Sequence, residues 1–384
     1  MATTLALFCK VVDNFGDIGI CYRLARQLVA EHQLAVTLYV DDLASFKRLC
    51  PDVVVDCDWQ QIDGIFVVHW RNQDEVYSVN DVADIVVEFF GCELPPSYIS
   101  AMQQRQPVWI NLEGLSAEDW VEGCHMVASP QNGQTKYFFY PGFTDKTGGL
   151  ILEAGLLLER DQFQHNPFST TEFLEKMGLT PTEMSTIKVS LFCYLHAPVL
   201  ALFHAWQING SLVTCLVPEG VAREQIEVFL ARPAVAGASA TRGKLTVRVI
   251  PFLAQSEYDK LLWSCDINFV RGEDSFVRAQ WAGRPFVWHI YPQDKDLHHV
   301  KLKAFLDRTL VNTPSLTSLS LAWNEATSPQ YDWGKGWQNL ERDLSKLGNL
   351  TPEWQYKLLT NGVLATNLLK FAVSIAQKAR ETKL

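Results

Sequence analysis

The sequence predicts an α/β fold built from two doubly wound, Rossmann-like domains facing each other across a cleft. Three observations carry this expectation. Short apolar runs alternate with amphipathic helical patterns, the signature of βαβ units and parallel sheet. The runs are near-continuous in Val, Ile and Leu, as strands covered on both faces require. The pattern also starts afresh in the second half of the 384-residue chain, which at ~150 residues per domain has room for two.

In the first half, Leu5–Val11, Ala35–Val40, Gly64–His69, Ala83–Phe89 and Val108–Leu112 read as strands, and Ile18–Glu31 and Leu43–Cys50 as helices. In the second half, Ile187–Tyr194, Ser211–Val217, Lys244–Ile250, Asp266–Val270 and Pro285–Ile290 read as strands. Helices are expected at Ala197–Gln207, Ala222–Leu230, Ser256–Ser264 and Phe276–Gly283, with Ser256 to Asp259 as a capping box. Ala234–Gly243 reads as a loop, and Gly334–Leu347 and Glu353–Lys378 as two further helices. The polar stretch Thr170–Thr186 marks a boundary, giving domains over 1–178 and 179–350 and a helical tail over 351–384, expected to pack back on the first domain.

Composition bounds the function. The net charge of -10 argues against a nucleic-acid partner, whose phosphates demand basic surface, and suits a cationic substrate. The 9 cysteines include no CxxC pair, and Cys9, Cys193, Cys215 and Cys265 fall in apolar runs, as expected in a reducing compartment. Lys10 interrupts the apolar start, unlike a secretion signal. No apolar run reaches the ~18 residues that a membrane helix needs. The expected location is therefore the cytoplasm.

Two loops carry the chemistry. After the first strand comes Asp13-Asn14-Phe15-Gly16-Asp17-Ile18-Gly19 and then a helix, the place where Rossmann-like folds put ligands. It is neither GxGxxG nor a P-loop. Two carboxylates suit a proton acceptor or an anchor for a cation; alternatively, Asp17 simply caps the helix and Asp13 is a turn residue. The second loop, Arg271-Gly272-Glu273-Asp274-Ser275, also runs from strand to helix. The free N–H groups of a helix start suit a diphosphate. Arg271 and the Ser275 hydroxyl can add donors, and Glu273 would face a sugar. Alternatively, the acids are ordinary helix-start residues paired with Arg271. Phe252 and Gln255 follow another strand and suit a pyrimidine base, or are a buried ring and a solvated amide. Tyr194 ends its strand in the same way, its hydroxyl placed for a phosphate or its ring merely half-buried. His298-His299 lacks metal-ligand spacing and reads as surface, so no metal is expected. No Gly-x-Ser-x-Gly elbow occurs.

The strings from Phe8 to Gly19 and from Arg271 to Gln280, the latter continuing to Trp288–Gln293, resemble signatures of the arginine rhamnosyltransferases of elongation factor P, the EarP family. Tyr137-Phe138-Phe139, Gly142-Phe143 and Thr147-Gly148-Gly149-Leu150 resemble a third block. The resemblance implies a GT-B fold and inverting transfer of L-rhamnose from TDP-β-L-rhamnose to one arginine of elongation factor P, without metal or cofactor. It implies catalytic roles for Asp17, as general base, Asp13 and Glu273. It also implies donor-binding roles for Asn14, Phe15, Gly16, Tyr194, Phe252, Gln255, Arg271, Asp274 and Ser275. The alternatives are a transferase with another acceptor and a sugar-nucleotide sensor that binds without turnover.

Overall fold

This computed structural model describes residues 3–12, 15–131, 133–325 and 330–381. Chain contacts divide it into two compact units, Met1–Ala154 with Lys357–Leu384, and Gly155–Tyr356.

The first unit is an eight-stranded sheet of β1 (Thr4–Cys9), β2 (Ala35–Val40), β3 (Trp59–Ile62), β4 (Ile65–His69), β5 (Ile85–Phe89), β6 (Val108–Leu112), β7 (Val127–Gln131) and β8 (Gln134–Phe139). The order is β3-β4-β2-β1-β5-β6-β8-β7. The six strands from β4 to β8 along this order run parallel, while β3 and β7 close the edges antiparallel. Strand order reverses between β1 and β5, the point where adjoining crossovers diverge and a ligand crevice opens beyond the strand ends. Every residue of β5 and β6 is buried. On one sheet face Phe8 stacks on Tyr39 with centroids 4.2 Å apart, inside a cluster that includes Trp70, Tyr98, Met102 and Trp109.

The third block of the sequence has a structural use in this unit. Gly149 adopts φ +74°, and a Cβ there would strike the Gly362 carbonyl. The close approach lets Leu150 bridge to Val363 and accept a 2.9 Å hydrogen bond from the Leu364 N–H. Asn367 Nδ2 donates to the Gly148 carbonyl at 3.1 Å. Phe371 then meets the Tyr137 and Phe139 rings at 5.4 and 5.7 Å. The helix Leu364–Glu381 is thereby pinned to the first unit.

The second unit is a six-stranded sheet of β9 (Ile187–Leu191), β10 (Val213–Pro218), β11 (Ser239–Arg242), β12 (Leu245–Ile250), β13 (Ile267–Arg271) and β14 (Phe286–His289), in the order β11-β12-β10-β9-β13-β14. All neighbours are parallel except β11 on β12. Its order reverses between β9 and β13.

Several expectations change. The segment from Gly155 to Gly178 joins the second unit, so the division precedes the boundary expected near residue 178. The reason is packing: Phe173 and Leu174 share a core with Leu216, Leu261 and Cys265. Arg160 Nη1 donates to the Trp281 carbonyl at 2.7 Å. The expected loop Ala234–Gly243 contains the edge strand β11. The capping box at Ser256 does not form: the helix runs Gln255–Ser264, its N-cap is Ala254 without a side-chain cap, and Asp259 turns to Arg278. The two tail helices are instead Trp333–Thr360, which carries Pro352 inside it, and Leu364–Glu381, broken around Gly362.

Histidine burial makes stability depend on pH. His125 Nδ1 accepts from the Tyr140 N–H at 3.0 Å, its ring packs edge-on to Phe139, and burial lowers its pKa to about 4 from 6.5. Between these values the unfolded chain binds a proton that the folded chain does not. Stability is therefore complete above about pH 6.5 and drains away as the pH falls towards 4. Urea midpoints measured from pH 7 to 4 should fall, and His125→Gln should flatten the slope; an equal slope in the variant would remove this assignment.

Candidate functional site

The first loop sits at the switch point of its sheet, between β1 and the helix Gly16–His32. Asp13 and Asn14 lie outside the described residues. The N-cap position belongs to Phe15, whose side chain makes no capping bond, and Asp17 lies in the first turn. Asp17 is therefore no helix cap. Its side chain is 3% exposed, and its Oδ2 accepts from the Val12 N–H at 2.7 Å. The carboxylate thus anchors the backbone of the strand-to-helix connection. Phe15 lies under the guanidinium of Arg48, 5.8 Å from its ring centroid. Gly16 opens the helix.

The second loop occupies the switch point of the other sheet, where β13 meets the helix Asp274–Trp281. Gly272, at φ +59°, reverses the chain there, its N–H donating to the His289 carbonyl at 3.2 Å and its carbonyl accepting from Trp288 Nε1 at 2.7 Å. Glu273 is the N-cap, with no side-chain capping bond. Arg271 is held on three sides. Its Nη1 donates to the Cys193 carbonyl at 3.0 Å, and its guanidinium lies 4.4 Å from the Phe192 ring and 4.8 Å from the Tyr194 ring. Such a clamp fixes a planar cation and suits arginine rather than lysine. The Ser275 hydroxyl donates to the Arg271 carbonyl at 2.5 Å and accepts from the Arg271 N–H at 3.0 Å. The hydroxyl thus closes the turn between Arg271 and the helix start.

Gln255 is buried at 3% exposure, and its Nε2 donates to Asp274 Oδ2 at 3.3 Å. It is no solvated amide; it ties the loop after β12 to the helix start. Phe252 is half-buried in that loop. Tyr194 is 8% exposed, more deeply buried than a half-buried ring, and stands 5.3 Å from His289 and 5.6 Å from Tyr291. The structure thus gathers Tyr194, Arg271, Asp274, Ser275 and Gln255 at the carboxyl edge of one sheet. Sequence reasoning passed over Phe192, His196 and His289 here. A histidine closing the apolar run Phe286–His289 was the available signal. His298 and His299 are half-buried rather than fully exposed, and with Asp296 their ligand atoms lie within 4.8 Å of one another. However, His298 Nδ1 accepts from the Gln293 N–H at 3.2 Å and His299 Nε2 bonds to the Asn324 carbonyl at 2.8 Å. Among the described residues no helix is long and apolar enough to cross a membrane.

Two Rossmann-like units, each with an acidic strand-to-helix loop at the switch point of its own sheet, define a glycosyltransferase of the GT-B class. A glycosyltransferase structure from Rickettsia africae is alike in fold, with TM-score 0.55 at 9% identity, covering 98% of each chain. The family model of the elongation factor P (EF-P) rhamnosyltransferase EarP matches residues 5–373, and the chain belongs to that family. It is 44% identical to the protein-arginine rhamnosyltransferase of Pseudomonas putida, covering 97% of this chain and 99% of that one. It is 41% identical to that of Pseudomonas aeruginosa, covering 95% and 97%. A solved structure of EarP, described for arginine glycosylation of translation elongation factor EF-P, is 34% identical with TM-score 0.66, covering 97% of this chain and 99% of that chain.

Proposed function

We propose that this chain moves L-rhamnose from TDP-β-L-rhamnose to an arginine side chain of elongation factor P in the cytoplasm, in one inverting step without a metal ion. The observation that carries the reading is Arg271, clamped between Phe192 and Tyr194 beside the open N-terminus of the helix Asp274–Trp281. This is a preorganised diphosphate cradle in a chain of the EF-P rhamnosyltransferase family.

The second unit holds the donor, with Phe252 and Gln255 at the base, Asp274 and the Ser275 N–H at the helix start, and Glu273 at the sugar. The first unit holds the acceptor arginine beside the loop after β1, and Asn14, Phe15 and Gly16 of that loop are the donor-binding candidates on this side. A guanidinium is protonated and delocalised, hence a poor nucleophile. Asp13 and Asp17 localise its charge and orient one nitrogen for attack at the sugar C1. The C–N bond forms as the bond from C1 to the diphosphate oxygen breaks. TDP keeps the electron pair, and Asp17 takes the proton from nitrogen. Arg271 and the helix start meet the charge of the departing diphosphate, so the site needs no metal for that work.

The test is the intact mass of elongation factor P after incubation with this protein and TDP-rhamnose in EDTA. A gain of one deoxyhexose is expected; an unchanged mass would overturn the reading, and a gain only with added divalent ions would overturn metal independence. Arg271→Ala should weaken TDP binding by ~1–3 kcal/mol, the range for a lost charge-assisted contact, and Arg271→Lys should recover little of it. Unchanged affinity by calorimetry would remove Arg271 from the cradle.

A further inference from the structure

Beside the cradle lies a pair of imidazoles that the proposed mechanism does not use. His289 closes β14 at 1% exposure, and its Nδ1 accepts from the Tyr194 N–H at 3.1 Å. An accepting nitrogen carries no proton, so in neutral His289 the proton sits on Nε2. That nitrogen is 3.0 Å from His196 Nε2 and donates to it. His196 must then carry its own proton on Nδ1. The backbone of Tyr194 thus dictates, through two rings, which face of His196 is a donor. Burial holds His289 well below the ordinary histidine range, with His196, Arg271 and His298 pushing the same way, so His289 itself stays neutral. His196 itself is exposed. Its ring lies parallel to Tyr194, 6.1 Å between centroids, and Tyr194 is the ring that clamps Arg271.

We propose that His196, its tautomer set by the buried His289, is a further hydrogen-bond donor to the diphosphate of the sugar nucleotide, its Nδ1–H meeting the charge that gathers as TDP leaves. The proposal rests on the donor site described above. His289 is the positioning residue. The titratable and charged groups around His196 are His289 and Tyr291 at β14, Tyr194 after β9, Arg271 on β13 and His298 on the helix Leu297–Arg308.

The test uses the full chain with TDP in calorimetry and with TDP-rhamnose and elongation factor P in single turnovers. An asparagine amide can place its N–H where His Nδ1 stands, whereas glutamine reaches the Nε2 position. His196→Ala and His196→Gln should therefore bind TDP about 10-fold more weakly, and His196→Asn should stay within about 3-fold of the parent. Single-turnover transfer should fall further, about 100-fold in the alanine variant, because the charge is greatest in the transition state. In nitrogen-15-labelled protein the His196 ring should show the Nδ1–H tautomer at neutral pH. Parent-like TDP affinity in His196→Ala, or an Nε2–H tautomer, would overturn the proposal. A parent protein that binds TDP but leaves elongation factor P unmodified would remove the acceptor reading alone, with calorimetry still deciding on His196. A parent that binds no TDP would overturn both.

Discussion

Replacing Asp17 by asparagine is expected to slow transfer to elongation factor P by ~10²–10⁴, the usual contribution of positioned acid–base catalysis. The substitution suits the site. The carboxylate is buried, and its Oδ2 accepts one backbone hydrogen bond from Val12 at 2.7 Å. An amide oxygen can keep that bond while charge and basicity are lost. Stability should therefore change little, and TDP affinity should hold, because the proposed diphosphate cradle belongs to the other unit. The N-cap is Phe15, so loss of a helix cap cannot produce the rate effect. Single-turnover rates decide the matter: an asparagine variant as fast as its parent would end the assignment and pass the base role to Asp13 or Glu273.

Asp259→Ala should cost ~3–5 kcal/mol of stability, as expected when one partner of a buried ion pair is removed. The pair is deeply placed. The Arg278 and Asp259 side chains are 1% and 7% exposed, and Arg278 Nε and Nη2 donate to Asp259 Oδ1 and Oδ2 at 2.9 and 2.8 Å. Truncating Asp259 takes from a buried guanidinium the carboxylate that two of its nitrogens share. The same pair ties the helix Gln255–Ser264 to the helix Asp274–Trp281 of the proposed cradle, so transfer should weaken alongside stability. Asp259→Leu with Arg278→Met removes both charges and should recover most of the loss. Urea unfolding of the three proteins tests this, and a single variant as stable as the parent would show that the pair contributes nothing net.

Much of this could be read without coordinates. Buried parallel strands are written as unbroken apolar runs, so β1, β2, β5 and β6 and the strands β9, β10, β12, β13 and β14 were legible almost residue by residue. The loops that follow β1 and β13 were legible too, because glycines and acids between an apolar run and a helical pattern have few other uses. The antiparallel edge strands β3, β7 and β11 were not, nor was β8. Trp59–Ile62 is largely exposed, Val127–Gln131 carries Pro130, and Ser239–Arg242 is polar. Each takes hydrogen bonds from a single neighbour and needs no apolar run to do so.

What the residue pattern determined is local: which runs extend, which helices follow them, and which carboxylates and cations stand at the turns. Three matters needed the third dimension, each because it depends on contacts between distant segments. The side to which Gly155–Gly178 belongs followed from the core that Phe173 and Leu174 share with Leu216 and Leu261. The docking of the last helix followed from the approach of Gly149 to Gly362. The place of Ser275 in its turn followed from a hydroxyl that bonds both the N–H and the carbonyl of Arg271. The tautomer of His196 is of the same kind, since it is set by His289, 93 positions along the chain. A hydrogen bond has direction, and composition cannot say which way a shared proton points.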